Sequence, residues 1–254
     1  MILRRLTENV KSQNWFAVVL DFFIVVLGVF IGVQLGNWNT ARREHESYLH
    51  ALDRYRSEIV TNLATLDTVD AEANLRLVII GKAFDALQTC EDTPENEDLI
   101  RKGLRGLMGT SGLKLRTNAL DDLTSSPILL AQQPEILRTR LADTRNLMDV
   151  FLREADFIEL IPLEERAQNN PLLRVGASTD SIVKYVGMDY SRPERQLELT
   201  VPISEACKDN MLNKSFYTWE RWQAALPAVT RVLRARIEED LETLGGPTAH
   251  PASQ

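Results

Sequence analysis

The strongest pattern in this chain is an unbroken apolar run. Residues 16–35 read FAVVLDFFIVVLGVFIGVQL, with one charge, Asp21, and one amide, Gln34. At ~1.5 Å rise per residue, a helix of this length covers about 30 Å, the thickness of a hydrocarbon core. Trp15 and Trp38 bracket the run, where aromatic rings settle at the lipid–water boundary. A core helix of a soluble protein is rarely apolar all round over such a length, so the pattern predicts a membrane span. The residues that follow, GNWNTARRE, offer no small-x-small cleavage site, which points to an uncleaved signal anchor. Ahead of the span, residues 1–15 form a basic leader with Arg4, Arg5 and Lys11. Ile2, Leu3, Leu6 and Val10 recur there at roughly helical spacing, which predicts a short helix lying on a lipid surface.

Beyond the span the period changes from all-round apolar to one-sided. Residues 37–80 contain neither Pro nor Gly. Tyr48, Leu52, Tyr55, Ile59, Leu63, Leu66, Val69, Ala73, Leu77, Ile80, Phe84 and Leu87 recur every three or four positions. That is a single stripe on a long helix, reaching about 75 Å from the membrane if it is straight. A break is allowed near Thr68 and Asp70. TCEDTPENE ends the stripe, and Thr93 before Pro94 predicts an N-cap with Pro at the first helical position. A helix to about Met108 follows, then GLRGLMGTSG, expected as a frayed helix end and a turn. It lacks the G-x-x-x-x-G-K-[ST] spacing and the preceding strand of a phosphate loop.

Residues 119–124 predict a short helix. Pro134 opens a longer one to about Leu160, with a seam at Leu137, Leu141, Thr144, Met148, Phe151, Ala155 and Ile158. Residues 176–203 are ambiguous, because SIVKYV and LELTV suit short strands as well as irregular cover. From about Asn213 a last helix carries Trp219, Trp222, Leu226, Val229, Leu233, Ile237, Leu241 and Leu244, with a kink expected at Pro227. Gly245, Gly246 and Pro247 stop it. The fold class expected is all-α: a transmembrane helix continuing into a long helix and an antiparallel bundle. The divisions are a cytoplasmic leader over 1–15, the span over 16–35, one helical soluble domain over 36–244 and a disordered tail over 245–254.

Two features of the span suggest packing. Gly28, Gly32 and Gly36 follow one another at four-residue spacing, about 40° apart around the helix, a groove that admits a second backbone. Asp21 falls near the same stripe, and a carboxylate inside a membrane invites a function unless it reaches the headgroups.

The block SQNWFAVVLDFFIVVLGVFIGVQLGNWN resembles a bacterial family of single-pass membrane proteins with a domain of unknown function. Its members carry a short basic leader, a Gly-containing span and a Q-x-x-N-W-N end, here Gln34, Asn37, Trp38 and Asn39. A second match lies at TNALDDLTSS, residues 117–126, followed by an LR-rich helix; the family often has Gly after the Ser pair, where this chain has Pro127. The resemblance covers about 50 residues. It implies a membrane-anchored, mostly helical protein and implies no activity.

Charge refines the location. The chain carries −7 overall; residues 1–35 contribute +1, so the rest carries −8. An acidic domain is held off an anionic leaflet and argues against nucleic acid as a partner. Lys and Arg counts on the two flanks of the span nearly tie. A long domain after a first signal anchor is commonly translocated, which favours an inner-membrane protein with its N-terminus inside and its bulk in the periplasm.

Catalytic sets are sparse. His45 and His50 stand five residues apart, about 140° around a helix, and cannot share a zinc ion. His250 lies in the tail, so no His is left for a nucleophile–His site in the core. The carboxylate pairs at Asp121 and Asp122, at Glu164 and Glu165, and at Glu238 and Asp240 suit solvated helix faces. No enzyme activity, metal or cofactor is expected. The partners expected are the membrane and either a second copy of this chain or another membrane protein. The role expected is an envelope protein acting through protein–protein interaction; the alternative is a periplasmic ligand-sensing module that signals through a partner.

Two cysteines complete the reading. Cys90 follows the first long helix at its membrane-distal end. Cys207 precedes the last helix, whose start is also distal if the two pack antiparallel. An oxidising compartment would permit a disulfide between them.

Overall fold

The computed structural model describes residues 15–164, 167–185 and 188–246. The leader helix expected over residues 1–14 and the tail from Pro247 lie outside the described residues.

One helix dominates. α1, Trp15–Gln88, runs for 74 residues without interruption. No break occurs at Thr68 or Asp70: the Thr68 hydroxyl donates back to the Ala64 carbonyl at 3.0 Å and Asp70 accepts from Thr230, so neither side chain competes for a turn. Eight members of the sequence stripe are buried: Tyr48, Leu52, Tyr55, Ile59, Leu66, Ala73, Ile80 and Leu87. Leu63, Val69, Leu77 and Phe84 pack half-buried beside them.

The other elements wrap the distal half of α1, from Tyr48 onward. α2, Pro94–Gly106, opens as expected, with the Thr93 side chain accepting a hydrogen bond from the Asn96 backbone N–H. α3, Asn118–Ser125, and α4, Pro127–Gln132, are short. α5, Glu135–Glu164, is the second long helix. A single 3₁₀ turn, Ala167–Asn169, leads to two strands, β1, Leu173–Tyr185, and β2, Met188–Leu199. α6, Ile203–Ala206, α7, Asn210–Gln223, and α8, Leu226–Thr243, close the chain.

Two expectations are corrected here. The fold is mostly helical but not strictly all-α, since β1 and β2 form an antiparallel hairpin from Leu173 opposite Leu199 to Tyr185 opposite Met188. The last helix is two helices rather than one kinked one. α7 ends at Gln223 and α8 restarts with Pro227 in its first turn, where a missing N–H costs nothing.

Cross-helix contacts fix the directions. Phe84 stacks on Phe216 with ring centroids 5.6 Å apart. The Thr230 hydroxyl donates to Asp70 at 2.5 Å, and the Tyr55 hydroxyl donates to Asp240 at 2.7 Å. Numbers rise along α7 and α8 as they fall along α1, so the pair is antiparallel. Two apolar clusters result. One lies toward the span, built on Tyr48, Tyr55, Leu120, Leu141, Leu233 and Ile237. The other caps the far end, built on Ile80, Leu87, Leu104, Ile203, Phe216 and Trp219.

Two glycines of the run read as a frayed end are close-packing devices. A Cβ on Gly103 would stand 2.1 Å from the Ala83 Cβ, and one on Gly106 would stand 2.7 Å from an Ile80 methyl. They let α2 press against the end of α1.

Candidate functional site

The apolar span is left uncovered by the rest of this chain. The most apolar 18-residue window of α1 has a mean hydropathy of 2.3 and no burial. Trp15 is 68% exposed and Trp38 is 61% exposed. Their Cα atoms are separated by about 35 Å of helix. Gly28, Gly32 and Gly36 would each accept a Cβ with no atom within 4 Å. Asp21 is partly shielded, while residues 22–43 are exposed throughout. The helix is therefore long and apolar enough to cross a membrane and presents the glycine stripe without a partner.

Between the span and the first buried residue, Tyr48, lies an exposed stalk over residues 36–47. Its polar side chains serve the helix itself. The Thr40 hydroxyl donates to the Gly36 carbonyl at 3.1 Å, and Arg42 pairs with Glu46 at 3.0 Å. His45 and His50 are both exposed. Among the described residues no group of three His, Cys, Asp or Glu side chains is placed to hold a metal.

The TNALDDLTSS segment is where short helix α3 is clamped to α1. The Glu58 carboxylate, almost fully buried, accepts from the backbone N–H groups of Ala119 and Leu120 at 2.9 and 3.3 Å. Those are first-turn N–H groups with no partner inside their own helix, and a negative charge suits that end. The Asn62 amide both donates to the Arg116 carbonyl at 2.8 Å and accepts from its N–H at 2.9 Å. Asp122 pairs with Arg54 at 3.0 Å, and Asp121 accepts from both Arg145 and the Thr117 hydroxyl. The carboxylate pair is thus spent on docking a helix.

A second polar cluster joins α1, α5 and α8 inside the bundle. Asp240, with its side chain fully buried, accepts from Tyr55 and from Arg140 Nε, each at 2.7 Å. Arg236 Nε donates to the Thr144 hydroxyl at 2.6 Å, and another of its N–H groups reaches the Arg140 carbonyl at 2.8 Å. Burial, reinforced by the Asp240 charge, pushes the Tyr55 phenol well above its ordinary range. Glu238 and Glu239 face Arg234 and Arg140 at the rim. The side chains of Glu164 and Glu165 lie outside the described residues.

At the distal end the two cysteines are joined. Cys90 and Cys207 form a disulfide with Cα atoms 5.4 Å apart across 117 positions of sequence. Cys90 follows α1 with φ of +56°, a left-handed conformation that glycine adopts most cheaply. Nearby, the Asp92 carboxylate accepts from the Ser204 N–H at 3.3 Å, and hydrogen bonding from the Ser204 hydroxyl above all, then from backbone N–H groups, holds the acid below its usual range.

Two open surfaces stand out among the described residues. One is an aromatic and arginine patch on α5 and α7. Phe157 meets Trp222 edge-on at 5.2 Å, and Arg221 lies 6.0 and 5.9 Å from the Tyr217 and Trp222 rings. Phe157 and Tyr217 are about half exposed. The other is a cleft of about 280 Å³ between α2, the end of β2 and α6. Sequence reading missed both, because each joins elements far apart along the chain.

Comparisons with protein-family models, curated proteins and solved structures find no match to this chain.

Proposed function

We propose that this chain is a membrane-anchored helical protein of a bacterial envelope. In this reading its N-terminus is cytoplasmic, its bulk is periplasmic, and it works by binding another protein rather than by catalysis. One observation carries the reading: α1 leads a naked apolar segment directly into a bundle core without a hinge. A rigid anchor of that kind holds the bundle at a set height and orientation above the bilayer. The disulfide supports the periplasmic side, since such bonds persist in oxidising compartments. The aromatic and arginine patch supports binding, since Trp, Tyr and Arg are enriched at interfaces.

The orientation is tested by fusing reporters after Gly246 of the full chain. Alkaline phosphatase should be active there and a cytoplasm-only fluorescent protein dark. The reverse pattern overturns the orientation. A photo-crosslinker at the Gly32 position should trap one discrete product, of twice the chain's mass or of a heteromer. No product at any position along residues 21–36 counts against assembly through the span.

A second reading, a ligand-sensing module that signals through a partner, draws support from the distal cleft. It sits beside α2, which presses on α1 through Gly103 and Gly106.

A further inference from the structure

The β1–β2 ribbon is held to the body at its base. Leu197 is buried in the distal cluster, with Leu173 and Leu199 packed against it. Past the register shift between Val175 and Ser178, no described residue of the hairpin joins either apolar cluster. A lone two-stranded ribbon is marginal in water, and its outer edges carry unpaired backbone groups.

The two edges differ. Tyr185 opposite Met188 closes the hairpin over two residues, so that pair exchanges backbone hydrogen bonds. Alternation from there turns the backbone groups of Ser178, Asp180, Ile182 and Lys184 to the outer edge of β1. The same alternation puts Pro193 on the outer edge of β2, where its missing N–H breaks the row of donors. β1 is therefore the edge open to another strand.

One charge on that edge is unmet across its own ribbon. Asp180 is exposed and stands opposite Pro193. Arg195, diagonal to it, donates instead to the Gly176 carbonyl at 3.2 Å. Lys184 stands opposite Asp189. Laid antiparallel on a copy of itself about a two-fold axis through Ile182, β1 sets Asp180 opposite Lys184 of the copy, and Lys184 opposite Asp180. Each charge row then alternates in sign: Asp189, Lys184, and the copy's Asp180. An axis through Asp180 would set two carboxylates face to face. An axis through Ser181 or Val183 would leave Asp180 with no cation opposite.

We infer that β1 pairs edge to edge with β1 of a second copy of this chain about Ile182, joining two ribbons into one four-stranded antiparallel sheet. The inference rests on the proposed function only in taking binding as the chain's work, and it names the partner. It requires neither the glycine stripe nor the cleft. Two copies anchored in one bilayer meet at a raised local concentration, which favours a contact of this size.

The test is oxidative crosslinking of the full chain in isolated membranes with copper phenanthroline. Cys90 and Cys207 are consumed in their bridge, so a substituted cysteine is the free thiol. Ile182→Cys should give a reducible dimer, because paired positions at the axis lie about 5.5 Å apart between Cα atoms, within disulfide reach. Ser178→Cys should not, since the two copies of that position stand about 26 Å apart along the strands. Adding Asp180→Lys to Ile182→Cys should cut the dimer yield roughly tenfold, as two favourable cross-strand pairs become repulsive. Inverting the whole row, with Asp180→Lys, Lys184→Asp and Asp189→Lys together, should restore it. These positions lie outside both apolar clusters, so the melting of the bundle should not change. No dimer from Ile182→Cys, equal yield from Ser178→Cys, indifference to Asp180→Lys, or no recovery in the inverted row each overturns the pairing. Assembly through the span is read separately by the Gly32 photo-crosslink. Its absence beside an intact Ile182→Cys dimer sinks the span contact and leaves the ribbon pairing standing; its presence without that dimer does the reverse.

Discussion

The Tyr55 hydroxyl and the Asp240 carboxylate meet across 2.7 Å in the interior of the bundle, 185 residues apart in sequence. The bond ties the anchor helix α1 to the last helix, and Arg140 of α5 completes the arrangement from the other side. A buried charge of this kind is costly when left alone and tolerable when each lone pair is used.

Removing one partner should therefore cost more than removing a neutral hydroxyl. Asp240→Ala removes the buried acceptor shared by Tyr55 and Arg140, while Arg140 keeps Glu239 at the rim, and should destabilise the bundle by about 2–4 kcal/mol. Tyr55→Phe removes one hydrogen bond and should cost about 1–3 kcal/mol, because a buried acceptor loses a donor. The measurement is chemical denaturation of the full chain in detergent, followed by far-UV circular dichroism. The double variant should be less destabilised than the two single changes added together.

The same pair sets an alkaline limb. Burial and the Asp240 charge raise the Tyr55 pKa above its ordinary value of 10.0. A group whose folded pKa is raised contributes stability that is complete below the unfolded pKa. That contribution declines as pH rises from the unfolded toward the folded value. Thermal stability should thus fall above about pH 10, and Tyr55→Phe should flatten the fall. Tyr48, also raised chiefly by burial, keeps part of the limb in that variant. An unchanged slope in Tyr55→Phe would show that other groups govern the alkaline limit.

The disulfide makes a separate prediction. Replacing Cys90 and Cys207 together by Ser should lower stability by about 2–5 kcal/mol, the usual effect of losing a native bridge across a long loop. Thiol labelling of denatured, unreduced protein taken directly from membranes should find no free thiol. Two free thiols per chain would remove the bridge and with it the support for an oxidising compartment.

How far the sequence reveals this fold depends on where each element finds its partner. The α1 stripe was readable because one face of one helix meets the core, so its period survives intact from Tyr48 to Leu87. The convergence of Cys90 and Cys207 followed from the antiparallel course of the first and last helices. The hairpin was readable only as one of two alternatives, since SIVKYV and LELTV suited short strands as well as irregular cover. A two-stranded ribbon has no fully buried face, so it need not alternate cleanly, and Pro193 sits inside β2 opposite Asp180. Gly103 looked like a helix breaker because its reason, the Ala83 methyl group, is twenty residues away. The cleft was hidden for the same cause: Ile100 and Ile203 meet only in three dimensions.

The two kinds of glycine in this chain give the last prediction. At Gly103 a methyl group would fall 2.1 Å from the Ala83 Cβ, far inside van der Waals contact. Gly103→Ala must push α2 off α1 and should cost about 1–3 kcal/mol, the scale of overpacking a core. At Gly32 an added Cβ meets nothing within 4 Å. Gly32→Ile should leave the melting of the bundle unchanged, because no contact within the chain is lost or crowded. If the span packs against a second copy through Gly28, Gly32 and Gly36, that branched side chain separates the two backbones, and association in a membrane two-hybrid assay should drop. Gly103→Ala serves as the control: destabilised yet still associating through an intact stripe. Equal association for the wild-type chain and Gly32→Ile would sever the glycine stripe from self-assembly and leave it facing lipid.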